Sequence, residues 1–90
     1  MYTTYRLAKN VQVRKESWGL LFYSQDSHRL LFIKSGNWLT PKDLNGAYEL
    51  TSLIENAVQR TGCSRQVARK ILTNLMNNLL KNRMIINELC

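Results

Sequence analysis

Residues that could carry out acid–base chemistry are few and scattered in this sequence. His28 is the single histidine, and it lies in a polar stretch where its side chain is expected to be solvated. The six carboxylates stand singly, and Asp43 and Glu55 have the spacing of helix-capping residues. Neither a nucleophile with a neighbouring base nor a pair of carboxylates is present in the pattern. We therefore expect no catalytic residue and no enzymatic activity.

Metal and cofactor sites are equally hard to find in the pattern. Cys63 and Cys90 lack the short spacing of zinc ligands, and no second histidine accompanies His28. The four glycines stand alone, so no glycine-rich phosphate loop is predicted. We expect no metal and no cofactor, and we interpret the two cysteines as free thiols in a reducing compartment.

Charge gives the first positive indication of function. The 90 residues include 13 Lys and Arg against 6 Asp and Glu, a net charge of +7, so an anionic partner is expected: nucleic acid, acidic peptide or anionic membrane. No run approaches the ~20 apolar residues that span a bilayer, and the opening residues do not resemble a secretory signal. We expect one cytoplasmic domain over residues 1–90 with a modest core.

The first third of the chain is typical of β-structure. Trp18–Tyr23 and Arg29–Lys34 are rich in aromatic and branched residues, and a polar stretch of five residues separates them, which predicts a hairpin. Val11–Val13 alternates in polarity, and Tyr5–Leu7 does so more weakly, so a third strand is expected before the hairpin. Large apolar side chains on both faces of the hairpin leave one face or edge available to another chain.

The remainder of the chain is typical of helices. Thr40, Pro41 and Asp43 predict a short first helix over Thr40–Leu44, stopped by Asn45-Gly46, and Ser52 with Glu55 predicts a second over 52–60. Ser64 is expected to cap the longest helix, 64–81, whose apolar residues recur in pairs four apart. Asn82 is expected to end it in a left-handed conformation, with Met84–Ile86 as an extended tail. The predicted fold is α+β and winged-helix-like: a three-stranded antiparallel sheet followed by three helices.

Two binding modes fit this arrangement. The helices 52–60 and 64–81 form a possible helix-turn-helix, in which Arg65 and Arg69 would approach the major groove of DNA. The alternative is peptide capture, in which the edge strand 29–34 supplies main-chain hydrogen bonds and the helix supplies cations. Peptide capture is favoured because the hairpin that would form a DNA-binding wing is apolar rather than basic.

Residues 13–23, VRKESWGLLFY, and 29–35, RLLFIKS, resemble the amino-terminal half of the mycofactocin-system chaperones within the PqqD-like family. The rest of the chain follows the family's order: a helix stop at 44–46, a helix start at 51–54, Gly62-Cys63-Ser64 and a final segment at 82–86. The resemblance therefore covers about residues 5–87. The family's first helix is usually longer than Thr40–Leu44. A similar small protein also accompanies peptide-splicing radical-SAM enzymes.

The resemblance implies a non-catalytic recognition element for ribosomally made, post-translationally modified peptides. Such proteins bind a precursor leader peptide as an added strand in the groove between the third strand and the third helix, and present it to a modifying enzyme, often a radical-SAM maturase. Carried over to this chain, the groove lies between 29–34 and 64–81. The residues expected to bind the leader are Arg29, Leu31, Ile33 and Lys34 on the strand and Arg65, Arg69, Lys70, Thr73 and Asn77 on the helix.

Overall fold

A computed structural model describes residues 3–89 of the chain. The elements are β1 (Thr3–Leu7), β2 (Val11–Glu16), β3 (Gly19–Ser24), β4 (Arg29–Ile33), a 3-10 helix (Pro41–Leu44), β5 (Asn45–Glu49), α1 (Leu50–Thr61), α2 (Arg65–Lys81) and β6 (Ile85–Leu89).

The predicted hairpin is present as β3 and β4. Aromatic and branched residues form both strands, and Leu20 pairs with Ile33 while Ser24 pairs with Arg29 in an antiparallel register. β2 adds to the other side of β3, so the order in this sheet is β2-β3-β4. The hairpin loop ends at His28, which adopts a left-handed backbone conformation with φ 54°.

A second sheet makes the predicted fold class wrong. β1 lies between β5 and β6 in an antiparallel sheet of order β5-β1-β6, so the described chain contains two three-stranded sheets rather than one. It contains two α-helices rather than three, because the segment predicted as the first helix is one turn of 3-10 helix at Pro41–Leu44. The tail predicted after α2 becomes β6, which pairs with β1 from Thr3↔Leu89 to Leu7↔Ile85.

The ends of the helices agree in part with those predicted from the sequence. Ser64 Oγ accepts a hydrogen bond from the Val67 amide at 3.3 Å, and Gly62 ends α1 with φ 73°, both as predicted. The capping box predicted at Ser52 is wrong, because α1 begins two residues earlier at Leu50. Asn82 is not left-handed, since its φ is −86°.

Arg83, rather than Asn82, is the left-handed residue that ends α2, with φ 61°. Its amide donates to Leu80 O at 3.1 Å, and the Met84 amide donates to Leu79 O at 3.0 Å. These two bonds form a Schellman motif, and Met84 is fully buried beneath it. The motif turns the chain from α2 into β6.

Both sheets pack onto the helices through one core. Leu20 and Phe22 contribute from β3 and Leu72 and Met76 from α2, and all four are buried. Asp43 is buried as well, and it is paired with Arg60 at 3.1 Å and accepts a hydrogen bond from the Thr40 amide at 2.9 Å. The buried carboxylate is thus compensated, as burial of a charge requires.

Over residues 3–89 no helix is long and apolar enough to cross a bilayer, and no cluster of His, Cys, Asp and Glu could hold a metal ion. Cys63 is a half-buried free thiol, as expected. Cys90 lies outside the described residues.

Candidate functional site: the open edge beside the long helix

β4 lies at the edge of its sheet. It pairs with β3 on one side, and within the described part of the chain no strand pairs with its other side. An edge strand presents unpaired amide and carbonyl groups that another extended chain can use. In an antiparallel sheet, alternate residues of a strand direct their amide and carbonyl groups to opposite sides. Which residues of β4 face outward therefore depends on whether the odd- or the even-numbered ones hydrogen-bond to β3; we call this the parity of the strand.

One hydrogen bond at the end of the β2–β3 ladder sets this parity. The Gln25 amide donates to Asn10 O at 3.0 Å, so odd-numbered positions of β3 direct their backbone groups toward β2. Even-numbered positions of β3 therefore face β4. The residues of β4 that pair with them therefore direct their backbone groups back toward β3: Arg29, Leu31 and Ile33.

The backbone groups of Leu30 and Phe32 consequently point away from the sheet. The close approach at Gly19 agrees with this parity, because a Cβ built on Gly19 would lie only 2.0 Å from Ile33 O. The Ile33 carbonyl thus faces β3 and not the open edge. Leu30 and Phe32 supply the donors and acceptors that an added strand would meet.

Side chains on β4 alternate between a buried and an exposed set. Ile33 is 5% exposed and Leu31 packs against the core, whereas Leu30 is 55% exposed and Phe32 61% exposed. The Phe32 ring lies 5.8 Å from the ring of Trp18 at an interplanar angle of 42°. The open edge is therefore flanked by exposed apolar side chains on the outer face of the sheet.

Hydrogen bonds connect the two ends of β4 to the helical part of the chain. At the first residue of β4, Arg29 Nη2 donates to Asn82 Oδ1 at 3.0 Å, next to the end of α2. Beyond the last residue of β4, Arg60 donates to Asn37 O and Trp38 O, at 2.9 and 3.1 Å. Arg60 is near the end of α1, and α2 begins a few residues later. The start of β4 therefore lies beside the end of α2, and the segment after β4 lies beside the end of α1.

The contact at Asn82 also shows which face of α2 is turned toward the start of β4. Asn82 Nδ2 donates to Asn78 Oδ1 at 2.8 Å, so the two amides share that face. With about 3.6 residues per turn, Val67, Ile71 and Leu75 lie on the same side of the helix. Val67 is 46% exposed, and Ile71 and Leu75 are half-buried. We name these three residues the helix stripe.

The four residues of the strand segment 29–34 that were predicted to bind the peptide differ in exposure. Arg29 is exposed at the start of the open edge, and Lys34 is exposed just beyond its end. Leu31 and Ile33 turn both their side chains and their backbone groups toward the protein. Leu30 and Phe32, which were not predicted from the sequence, are the residues whose backbone groups face the open side of β4.

The predicted helix residues lie on other faces of α2 than the helix stripe. At about 100° per residue, each is at least a quarter turn from the Asn78–Asn82 face. Arg65 is in an ion pair with Glu55 at 2.5 Å, which connects α2 to α1. Within residues 3–89 none of these side chains forms a hydrogen bond or ion pair with β4, and their role in binding stays a prediction: Arg65, Arg69, Lys70, Thr73 and Asn77.

A usable sequence signal did exist for the helix stripe. Val67, Ile71 and Leu75 belong to the apolar periodicity of α2, which is too wide for burial of all its members. Apolar residues at the margin of such a face are candidates for contact with a partner. The sequence cannot say which margin lies on the same side as the start of β4, because that depends on the Arg29–Asn82 contact.

An open sheet edge is a surface on which peptide-binding proteins can add a strand. A family model agrees: the chain belongs to the peptide chaperone MftB family, whose model matches residues 4–86. The predicted resemblance to mycofactocin chaperones and PqqD-like recognition elements is thereby confirmed. The family does not favour DNA binding. No curated protein and no solved structure matches the chain significantly.

Proposed function

We propose that this chain binds a ribosomally made precursor peptide as an added strand on the open edge of β4 and presents it to a radical-SAM maturase. The leader of the peptide lies between β4 and the helix stripe. The chain itself performs no chemistry on the peptide and uses no cofactor. One observation carries the proposal: the backbone groups of Leu30 and Phe32 face outward, and no strand within residues 3–89 pairs with them.

Strand addition suits a chaperone because main-chain hydrogen bonds hold the peptide irrespective of its sequence. Specificity then comes from alternate side chains, which point in turn toward the helix stripe and toward the apolar outer face. Leu30 and Phe32 offer that outer face, and Val67 is the most exposed member of the helix stripe. Membership of a peptide chaperone family supports this division between holding and catalysis.

Amide hydrogen exchange tests the docking mode residue by residue. The probe is a short precursor peptide to be identified in the gene neighbourhood of this chain, made synthetically with an amino-terminal fluorophore for affinity measurements. In the free protein, the Leu30 and Phe32 amides should exchange rapidly, and the bound peptide should protect both. Leu31 and Ile33 serve as internal controls, because their amides already face β3. Peptide binding without protection at Leu30 and Phe32 would place the peptide elsewhere.

A turnover experiment tests presentation to the enzyme. The maturase should modify the precursor efficiently with this chain present and poorly without it, while the chain alone should leave the precursor unchanged. Equal turnover with and without the chain would contradict the proposed role. A parallel titration with duplex DNA should show only weak binding that disappears with added salt.

A further inference from the structure

A second site lies where β4 begins. A cavity of about 290 Å³ opens between the start of β2, the β3–β4 loop and the end of α2. Three cations line it, Lys9, Arg29 and Arg83, together with the acidic side chain of Asp26. The cavity therefore carries an excess of positive charge at one end of the open edge.

These cations differ from the paired arginines elsewhere. Four acidic residues are each in an ion pair with an arginine: Glu16 with Arg14, Asp43 with Arg60, Glu55 with Arg65 and Glu88 with Arg6. Within residues 3–89, none of the three cavity cations has an acidic partner. Asp26 accepts a hydrogen bond from Asn10 Nδ2 at 3.0 Å instead.

Three residues around the cavity adopt a left-handed backbone conformation. Among the described residues, the non-glycine positions with positive φ are Asn10, His28 and Arg83. Asn10 and His28 are chain neighbours of lining residues, and Arg83 is a lining residue. Glycine is the usual residue at the position that Arg83 occupies in its Schellman motif. Arg83 therefore lines the cavity from a backbone conformation that glycine adopts more readily.

We propose that this cavity binds a carboxylate of the peptide that docks on β4, and so fixes the register of the added strand. Arg29 belongs both to the cavity and to the first position of β4, which joins the two sites. Its guanidinium is oriented by Asn82, which is itself held by Asn78. Charge-assisted hydrogen bonds from Arg29 and Arg83 give a carboxylate a defined position. This inference rests on the proposed function.

Arg83→Gly separates binding from folding at this cavity. Glycine adopts the left-handed conformation more readily than arginine, so the melting temperature should stay the same or rise. Affinity for the fluorescent precursor peptide should nevertheless fall about tenfold, as expected when a charge-assisted contact is lost. Arg83→Lys keeps the charge and should retain affinity within about threefold. Lys42→Gln, an exposed cation outside the cavity, removes the same charge and should leave affinity unchanged.

Peptide variants identify the carboxylate that is bound. Each Asp and Glu of the precursor is changed to Asn or Gln, and a separate peptide carries an amidated carboxyl terminus. One of these peptides should bind weakly to the wild-type protein and be insensitive to Arg83→Gly, because the two changes remove the same interaction. Equal losses for Arg83→Gly and Lys42→Gln, or no loss for Arg83→Gly, would overturn the inference.

A titration without the precursor distinguishes failure of this inference from failure of the proposed function. N-acetylglutamate N-methylamide is added to isotopically labelled protein, and its glutamine analogue is the control. Shifts confined to Lys9, Arg29 and Arg83 with the glutamate probe would support the cavity even if the precursor did not bind. Shifts spread equally over all surface cations would overturn it.

Discussion

The sheet formed by β2, β3 and β4 has two edges, and they offer different surfaces to another chain. The β2 edge carries charged side chains: Arg14 pairs with Glu16 at 2.8 Å, and Lys15 Nζ donates to Gly36 O at 2.8 Å. The outward amide of Val11 donates to the neighbouring Ala8 O. Charges and local hydrogen bonds of this kind prevent unwanted strand pairing.

The β4 edge lacks this protection on its outward positions. Leu30 and Phe32 combine exposed apolar side chains with backbone groups that no described strand pairs, a combination that favours aggregation unless the edge has a partner. Both edges lack a partner strand within residues 3–89, but the β2 edge carries charges and a local hydrogen bond whereas the β4 edge carries exposed apolar side chains. Variants that exchange or remove these properties test whether the open edge is the binding site.

The largest effect is expected from Gly19→Ala, at the corner where the end of β4 crosses β3. A Cβ at Gly19 would lie 2.0 Å from Ile33 O and 2.5 Å from Ser35 N. The end of β4 must therefore move, and we expect the free energy of unfolding to fall by roughly 2–4 kcal/mol. Urea unfolding followed by circular dichroism measures this loss.

Gly36→Ala is the matched control for Gly19→Ala. Gly36 also has a positive φ, 49°, but nothing lies within 4 Å of the position that a Cβ would take there. Only backbone strain is then added, at a cost of about 1 kcal/mol. Equal destabilisation by the two variants would mean that the contact with β4 is unimportant.

The next largest effect concerns the outward amide of Phe32. Phe32→Pro removes this donor from the open edge and should weaken precursor binding at least about tenfold, while the fold is retained because proline is tolerated on the free side of an edge strand. Fluorescence anisotropy with the labelled precursor measures the affinity. Phe32→Ala separates the contribution of the ring from that of the amide.

Lys15→Pro makes the same change on the β2 edge. Lys15 is an outward position of β2 by the parity that the Gln25–Asn10 bond sets, so its substitution should leave peptide affinity unchanged. A larger loss from Lys15→Pro than from Phe32→Pro would reverse the assignment of the two edges. Ile33→Pro is unsuitable as a test, because the Ile33 amide faces β3 and its loss breaks the sheet.

A smaller effect is expected on α2, where two sets of residues compete as the peptide contact. Val67→Asn removes the most exposed apolar side chain of the helix stripe, and affinity should fall about fivefold through lost apolar burial. Arg69→Gln, on another face of the helix, should lower affinity less than about twofold at physiological salt. The opposite ranking would favour the cationic face predicted from the sequence.

The elements that could be predicted from the sequence are those with strong local patterns. The β3–β4 hairpin and α2 follow from β-branched and aromatic runs and from a helical apolar period. β5 could not be predicted, because Asn45-Gly46 is a turn signal and β5 forms only by pairing with β1. β1 and β6 pair across nearly the whole chain, as in Thr4↔Glu88, and no local pattern contains that information.

The candidate site, like the fold, could be predicted from the sequence only in part. The sequence indicated the strand and the helix of the proposed site, since both are marked by composition. It could not indicate Leu30 and Phe32 over Leu31 and Ile33, because the outward parity depends on the register between strands. Nor could it indicate the helix stripe, which is defined by one long-range contact between Arg29 and Asn82.

The smallest expected effect tests whether the outer face supports the open edge. Trp18→Ala removes the ring that packs 5.8 Å from Phe32, and the free energy of unfolding should fall by about 1 kcal/mol. Peptide affinity should fall about twofold, because Phe32 loses a neighbour that restricts its side chain at the edge. A double-mutant cycle with Phe32→Ala should give a coupling of about 0.5–1 kcal/mol in stability. Strictly additive losses would show that the two rings act independently, and that the edge owes its order to the β3–β4 ladder alone.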